Sequence, residues 1–344
     1  MSVHHQPSPL RPDGMPTRRR LLGSAAGAAA LLGLAACGSG GSGSKGAAGA
    51  SVGASAGASA ASTRVVDTAK GKVTVPARPQ RVVILNDFPM AAMFDLGQLP
   101  VGLFNAGEEY VAQPYLERWR SIPKVSNGVG GTVEVEKVAA LQPDLIIGID
   151  AQPNLPYEQL SRLAPTVLLP FSKSKTPWRD MAEQTAVVLG LPDALAKLKQ
   201  RYADRAAQIR KERAAVLARY RWALLQGGFD EGQWWLYGPE SNIGGILAAA
   251  GARFSSGSVR VKEQASVSYE LVTSRLSDAD AIFYYTTNDG KPANLGPKLF
   301  AQQSFQKLPA VRAGHLYGSI AFLPAGYTEA LMALDDFDSA LRKL

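Results

Sequence analysis

His315 is the one histidine beyond residue 5, and Cys37 is the one cysteine in the 344 residues. That inventory limits the chemistry. A single thiol forms no intrachain disulfide and no thiolate metal site. With His4 and His5 at the extreme N-terminus, His315 alone cannot build a multi-histidine zinc centre. A nucleophilic triad would need His315 beside an activated serine, and no Gly-x-Ser-x-Gly elbow joins a strand pattern to a helix pattern. No Gly-Lys-Ser/Thr closes a phosphate-binding loop. The literal dinucleotide fingerprint at Gly38, Gly40 and Gly43 lies in low-complexity glycine, with no strand before it and no helix after it. A hydrolase working through carboxylates alone stays open as a rival. What the sequence does place in the loops after its strand patterns is aromatic and polar. Asn105 and Tyr110 follow the second strand pattern, Trp178 the fourth, and Trp235, Asn242, Arg260, Tyr284 and Phe322 come later. In α/β sheets, such loops line the binding crevice. Aromatic walls with a few directed polar groups suit a large, partly apolar ligand. Trp234 and Trp235 point to opposite faces of a strand, so at most one of them meets the crevice.

The elements that must hold these residues alternate. Short aliphatic runs at residues 81–85, 101–104, 144–149 and 166–169 read as buried strands. Helical patterns at 88–96, 133–141, 157–163 and 178–189 lie between and after them. The pattern resumes with strands at 222–226, 233–237, 281–285 and 315–317, and helices at 242–250, 269–275 and 328–343. Strands alternating with helices imply an α/β fold with a mostly parallel sheet covered on both faces. Between the two series lies residues 192–220, where Leu195, Leu198, Tyr202, Ala206, Ile209, Val216 and Tyr220 recur at helical spacing with no Gly or Pro after Pro192. This predicts one helix of about 40 Å. It is either a surface helix of one large domain or a rigid strut between two Rossmann-like lobes with a cleft between them. One correspondence favours two lobes. Glu136 precedes Asp144-Leu-Ile-Ile147, and Glu270 precedes Asp280-Ala-Ile-Phe283: each is an acidic residue early in a helix, before an Asp that opens a strand.

The N-terminus reads as an address. Arg18-Arg19-Arg20 precedes an apolar run ending in Leu34-Ala-Ala-Cys37, a run too short to span a bilayer as a mature anchor. Leu34 to Cys37 resembles a bacterial lipoprotein signal, and Arg18-Arg19 a twin-arginine export signal. The resemblance implies cleavage before Cys37, lipidation of its thiol, and a place on the outer face of the cytoplasmic membrane. The other reading is a short buried helix with a core cysteine. The following Gly/Ser/Ala stretch, through residue 63, reads as a tether. The expected domains are therefore a signal at 1–36, a tether at 37–63, an N-terminal lobe at 64–190, a connecting helix at 191–220 and a C-terminal lobe at 221–344. The formal charge is +8, and the four Arg and one Asp of residues 1–36 leave +5 on the rest. That is mildly basic, without the Lys/Arg blocks of a nucleic-acid binder.

From residue 65 onward the chain resembles the binding proteins for ferric siderophores and vitamin B12 that feed ABC importers. The resemblance rests on Val75-Pro-Ala-Arg-Pro79, Leu96-Gly97-Gln-Leu-Pro100, Glu134-Val-Glu136 through Ile147, Leu160-Ser-Arg-Leu-Ala-Pro165, Tyr237-Gly-Pro239, Ser268-Tyr-Glu270 and Val311-Arg-Ala-Gly-His-Leu-Tyr317, all in the family's order. It implies two α/β lobes joined by one long helix. It also implies a monomeric receptor with no catalysis and no cofactor, iron entering only as a siderophore complex, and an ABC permease and ATPase as partners. Glu136 and Glu270 fall where the family pairs one glutamate per lobe with permease arginines. Some hydroxamate-binding members carry Trp and Arg just after the Tyr-Gly turn. Here Pro239-Glu-Ser-Asn242 stands instead, and Arg260 is the replacement candidate. The expected ligand is a ferric hydroxamate of ferrioxamine type, with cobalamin, haem or a ferric catecholate as alternatives.

Overall fold

Runs of Val, Ile and Leu become strands buried on both faces, as a sheet sandwiched by helices requires. A computed structural model describes residues 62–128, 130–152 and 154–344. Cys37, the signal and the tether as far as residue 61 lie outside the described residues, and Thr63, the last residue of the expected tether, already belongs to the first strand. The described chain opens with an antiparallel hairpin, β1 (Thr63–Thr68) and β2 (Gly71–Pro76), turned at Ala69 and Lys70, with Gly71 at φ +98° starting the return strand. Four parallel strands follow: β3 (Val82–Ile84), β4 (Gly102–Leu103), β5 (Leu145–Ile149) and β6 (Thr166–Leu169), in the order β4-β3-β5-β6. Their helices are α1 (Asp87–Asp95), α2 (Gln113–Ser121), α3 (Val135–Ala140), α4 (Tyr157–Leu163) and α5 (Pro177–Val188).

The second sheet is mixed. β7 (Arg221–Gly227), β11 (Ala281–Tyr285) and β12 (Leu316–Ser319) run parallel, while β8 (Gln233–Tyr237) and β10 (Gln264–Ser268) form an antiparallel extension. A short β9 (Arg253–Phe254) pairs with the start of β7. The helices of this part are α8 (Asn242–Ala249), α9 (Ser256–Val261), α10 (Val272–Leu276), α11 (Gly296–Phe300), α12 (Gln303–Gln306), α13 (Pro309–Arg312) and α14 (Tyr327–Leu341). The expected α/β fold of two lobes is present.

The two lobes repeat one device. In the first, the Asp144 carboxylate accepts the Arg81 N–H at 2.9 Å, tying the start of β5 to the start of β3. In the second, the Asp280 carboxylate accepts the Arg221 N–H at 2.8 Å, tying β11 to β7. The reverse bonds are also made, Asp144 N–H to Arg81 O at 3.0 Å and Asp280 N–H to Arg221 O at 2.8 Å.

The connecting helix departs from expectation. It is not one run over 192–220 but α6 (Ala196–Glu212) and α7 (Ala214–Arg219), broken at Arg213, whose φ of −107° and ψ of 14° leave the helical basin. At 1.5 Å per residue, the 17 residues of α6 span about 25 Å rather than 40 Å. No Gly or Pro causes the break. Arg213 instead donates from Nε to Asp338 on α14 at 2.7 Å, and Arg205 and Arg342 donate to the same carboxylate. Asp338 is 1 % exposed, so this is a buried carboxylate ringed by three guanidiniums.

Candidate functional site

Between the sheets lies a cleft with a cavity of about 290 Å³ whose walls come from both lobes. The first lobe contributes the loop directly after β6: Phe171, Ser172, Ser174, Lys175 and Pro177. Phe88, at the start of α1, supports Phe171 with ring centroids 5.1 Å apart. The second lobe contributes Tyr237 at the end of β8, then Glu240 and Asn242 at the start of α8, with Glu263 and Leu323. The Ser241 hydroxyl accepts the Gly244 N–H at 3.0 Å and so fixes the start of α8 at the cavity. Across the turn, Gly238 N–H reaches Glu263 O at 2.8 Å and Glu240 N–H reaches Lys262 O at 2.9 Å. Gly238 is required there, because a Cβ would stand 2.0 Å from Lys262 O. Burial pushes the Tyr237 hydroxyl well above its ordinary pKa, and the Gln226 hydrogen bond pulls only partly back, so it is a neutral donor at any physiological pH.

The sequence-derived candidates divide. Asn242 lines the cavity. Tyr110 bridges the lobes: its ring stacks on Tyr285 at 6.3 Å, and its hydroxyl donates to Asn294 Oδ1 at 3.3 Å. Asn105 sits two residues past β4, but its side chain caps its own loop by accepting the Gly107 N–H at 3.2 Å. Trp235 lies half-buried on the same face of β8 as Tyr237. Phe322 is 0 % exposed and forms the floor beneath the wall, edge-on to Tyr237 at 5.1 Å. Three candidates lie away from the cavity wall. Trp178 is 3 % exposed and packs edge-on against Tyr202 and Tyr327, so it is core between α5, α6 and α14. Tyr284 points to the opposite face of β11 and meets Phe300 at 5.0 Å, while its neighbour Tyr285 faces the cleft side. Arg260 is exposed on α9, outside the cavity wall, with no hydrogen bond to any described residue. Glu136 and Glu270 are both exposed, one on α3 and one on the 3-10 turn Tyr269–Leu271.

The residues that sequence reasoning passed over have a common signal. Phe171 to Lys175 follow β6 immediately, where the crevice rule points, whereas Trp178 is already inside the next helix. His315 lies just before β12, outside the cavity wall. Its Nδ1 lies 2.9 Å from Asp280 O and its ring is edge-on to Tyr220. Among the described residues no three His, Cys, Asp or Glu side chains are grouped to hold a metal ion.

The chain is similar to known proteins. A family profile described as periplasmic binding protein matches residues 82–319. The probable siderophore-binding lipoprotein YfiY of Bacillus subtilis is 27% identical over 300 residues, covering 82% of this chain and 88% of YfiY. The iron(3+)-hydroxamate-binding protein YxeB of B. subtilis is 28% identical over 182 residues, 53% of this chain and 53% of YxeB, so the chain matches about half the length of that relative. Among solved structures, the siderophore periplasmic binding protein from the fuscachelin gene cluster of Thermobifida fusca superposes with a TM-score of 0.67 at 29% identity, covering 78% of this chain and 99% of that one.

Proposed function

The chain belongs to the periplasmic binding protein family, and on that premise we propose that it is the substrate-binding receptor of an ABC importer, holding a ferric siderophore between its lobes. The observation that carries this reading is the cleft itself. Its wall is aromatic and polar, from Phe171 and Tyr237 with serine hydroxyls and the Asn242 amide, and is shared between both lobes. Such a wall suits a large ligand that brings its own metal coordination. The one histidine of the binding fold is committed to the Asp280 carbonyl. The protein binds and releases and does no chemistry of its own.

Within that class we place a hydroxamate complex of ferrioxamine type first. The charged side chains on the cavity wall are Lys175, Glu240 and Glu263. Two carboxylates against one ammonium favour a neutral or cationic complex over a polyanionic citrate or catecholate complex. Residues 64–190 and 221–344 are the two lobes and 191–220 the connection. Cys37 carries the lipid that keeps the receptor on the outer face of the cytoplasmic membrane, after export by the twin-arginine route, and residues 37–63 tether it as a monomer. Membrane fractionation of Cys37→Ser tests the anchor: equal retention of variant and parent would refute it.

The functional test is radioiron uptake in cells lacking the protein. Iron supplied as the ferric hydroxamate should fail to enter until the protein is restored, while uptake of unchelated iron should not change. Undiminished siderophore uptake in the deletion strain refutes the reading. Turnover of generic esters or glycosides by the purified chain would favour a hydrolase instead.

A further inference from the structure

Four side chains form one hydrogen-bonded line from the first lobe to the cavity wall. Tyr110 donates to Asn294 Oδ1 at 3.3 Å, Asn294 Nδ2 donates to Gln226 Oε1 at 3.5 Å, and Gln226 Nε2 donates to Tyr237 Oη at 2.8 Å. Gln226 is 3 % exposed and Tyr237 is 4 % exposed.

The backbone holds each member in place. Asn294 sits at φ +55°, a left-handed conformation that Asn tolerates better than most residues. Its flanks are tied to the second sheet, Ala293 N–H to Tyr285 O at 3.0 Å and Leu295 N–H to Gly228 O at 3.1 Å. The loop rests directly on the end of β7, where a Cβ on Gly227 would stand 1.9 Å from Gly296 N. At the other end, the turn carrying Tyr110 is clasped to the second lobe. Asn288 donates its N–H to Glu109 O and its Nδ2 to Glu108 O, both at 3.0 Å.

The last member has unused capacity. Tyr237 Oη accepts from Gln226 but donates its own hydrogen to no atom among the described residues, and Tyr237 lines the cavity. A ligand oxygen that reached that hydroxyl would complete its hydrogen bonding. When a hydroxyl donates, its oxygen becomes a better acceptor, and in a low-dielectric interior that polarisation passes along a chain of hydrogen bonds. A buried amide that merely filled the core would need only the Gln226–Tyr237 bond. Here the line continues to the residue that touches the other lobe.

We propose that Gln226 and Asn294 are positioning residues that tie the Tyr237 hydroxyl to the interlobe clasp at Tyr110, so that an oxygen bound at Tyr237 tightens the contact between the lobes. The ligand side of this inference rests on the siderophore reading above; the coupling within the protein does not. Coupling is reciprocal, so whatever fastens the clasp raises ligand affinity by the same factor.

The test has two arms. In the ligand-free protein, hydrogen exchange is followed at the Asn288 amide and at the amides of the β8–β10 ladder. Gln226→Leu and Asn294→Asp should each speed exchange at Asn288 by about fivefold or more and leave the ladder unchanged. Asn294→Asp retains the acceptor for Tyr110 and replaces the donor to Gln226 with a carboxylate oxygen, and the ladder amides report any general effect of the added charge. Unchanged exchange at Asn288 in both variants, or equal acceleration in the ladder, overturns the coupling. In the second arm, dissociation constants for a ferric trihydroxamate are compared for Tyr110→Phe, Tyr237→Phe and the double variant. Non-additive losses support the relay, and fully additive losses overturn it. A wild-type protein that binds no siderophore would refute the functional reading, and the exchange arm would still decide the coupling.

Discussion

The carboxylate of Asp95 accepts the backbone N–H of Tyr327 at 2.8 Å, across 232 positions of sequence. Asp95 ends α1 in the first lobe and Tyr327 begins α14 in the second. The same carboxylate accepts the Thr328 N–H at 3.2 Å and the Tyr115 hydroxyl at 2.7 Å. One lobe therefore supplies the N-terminal cap for a helix of the other. Gly326 permits the approach, since a Cβ there would lie 2.8 Å from Asp95 Oδ2. Losing a capping side chain costs about 0.5–2 kcal/mol. Asp95→Ala should cost about 2 kcal/mol, the upper end, because the Tyr115 hydroxyl is orphaned as well. Urea denaturation measures it, and an unchanged midpoint at equal slope would show that the cap is idle.

Beside that cap, Glu329 is 9 % exposed and accepts the Ala325 N–H at 2.7 Å. Burial pushes its carboxyl from an ordinary 4.5 up to about 8, with Asp95 and Asp87 adding repulsion, and Asp87 is itself pushed by burial to about 6. Glu329 is thus protonated at neutral pH in the folded state and ionised in the unfolded one. Its contribution to stability is full below pH 4.5, falls as pH rises to about 8, and is flat beyond. Glu329→Gln, which imitates the protonated form, should gain on the parent across that window and hold a constant lead above it. Parallel stability curves from pH 5 to 9 would contradict the assignment.

Asp338 behaves oppositely. Burial pushes its carboxyl up, but the guanidiniums of Arg213, Arg342 and Arg205 outweigh burial and hold it at about 2. Its stabilisation is present above pH 3.8 and is lost as pH falls toward 2. Asp338→Ala frees α6, α7 and the end of α14 at once and should cost about 3 kcal/mol, since breaking a buried ion pair is strongly destabilising. Thermal unfolding at pH 7 shows it, and an unchanged Tm would mean that the arginines are equally well served by water.

These contacts mark where the sequence was legible. The strands were, because Val82–Ile84, Leu145–Ile149 and Ala281–Tyr285 are apolar runs of strand length. So was the internal correspondence, because Asp144 and Asp280 each stand just before an apolar strand run, although the Arg81 and Arg221 N–H groups that they hold lie 63 and 59 positions away. The break at Arg213 was not, since it comes from Asp338, 125 positions away, in a stretch without helix breakers. Tyr284 and Tyr285 could not be told apart, as adjacent strand residues face opposite ways and only the packed sheet says which way is inward. Residues 113–121 and 253–268 went unread. Arg118 donates to Phe94 O and its guanidinium lies over the Phe94 ring, so part of α2's packing runs through a cation that pattern reading counts as solvent-facing. β9, α9 and β10 are too short to show a period.

Glu136 and Glu270 test the importer. Both are exposed, and each stands on the helical turn that precedes an Asp-opened strand of its own lobe. A docking role, one point per lobe, is what the resemblance implies for them, and transport by the paired variant tests it. Glu136→Ala combined with Glu270→Ala should leave ligand affinity unchanged and abolish uptake. Normal transport by the double variant at native expression would reduce both to helix-end residues, each worth about 0.3–1 kcal/mol.

The central claim is tested most directly by calorimetric titration of the chain from residue 64 with a ferric trihydroxamate, its iron-free form, ferric citrate, a ferric catecholate and unchelated ferric ion. The account predicts saturable one-to-one binding of the ferric trihydroxamate, weaker binding of the anionic complexes and none of the bare ion. Tight binding of unchelated iron, with no heat from any siderophore complex, would contradict it.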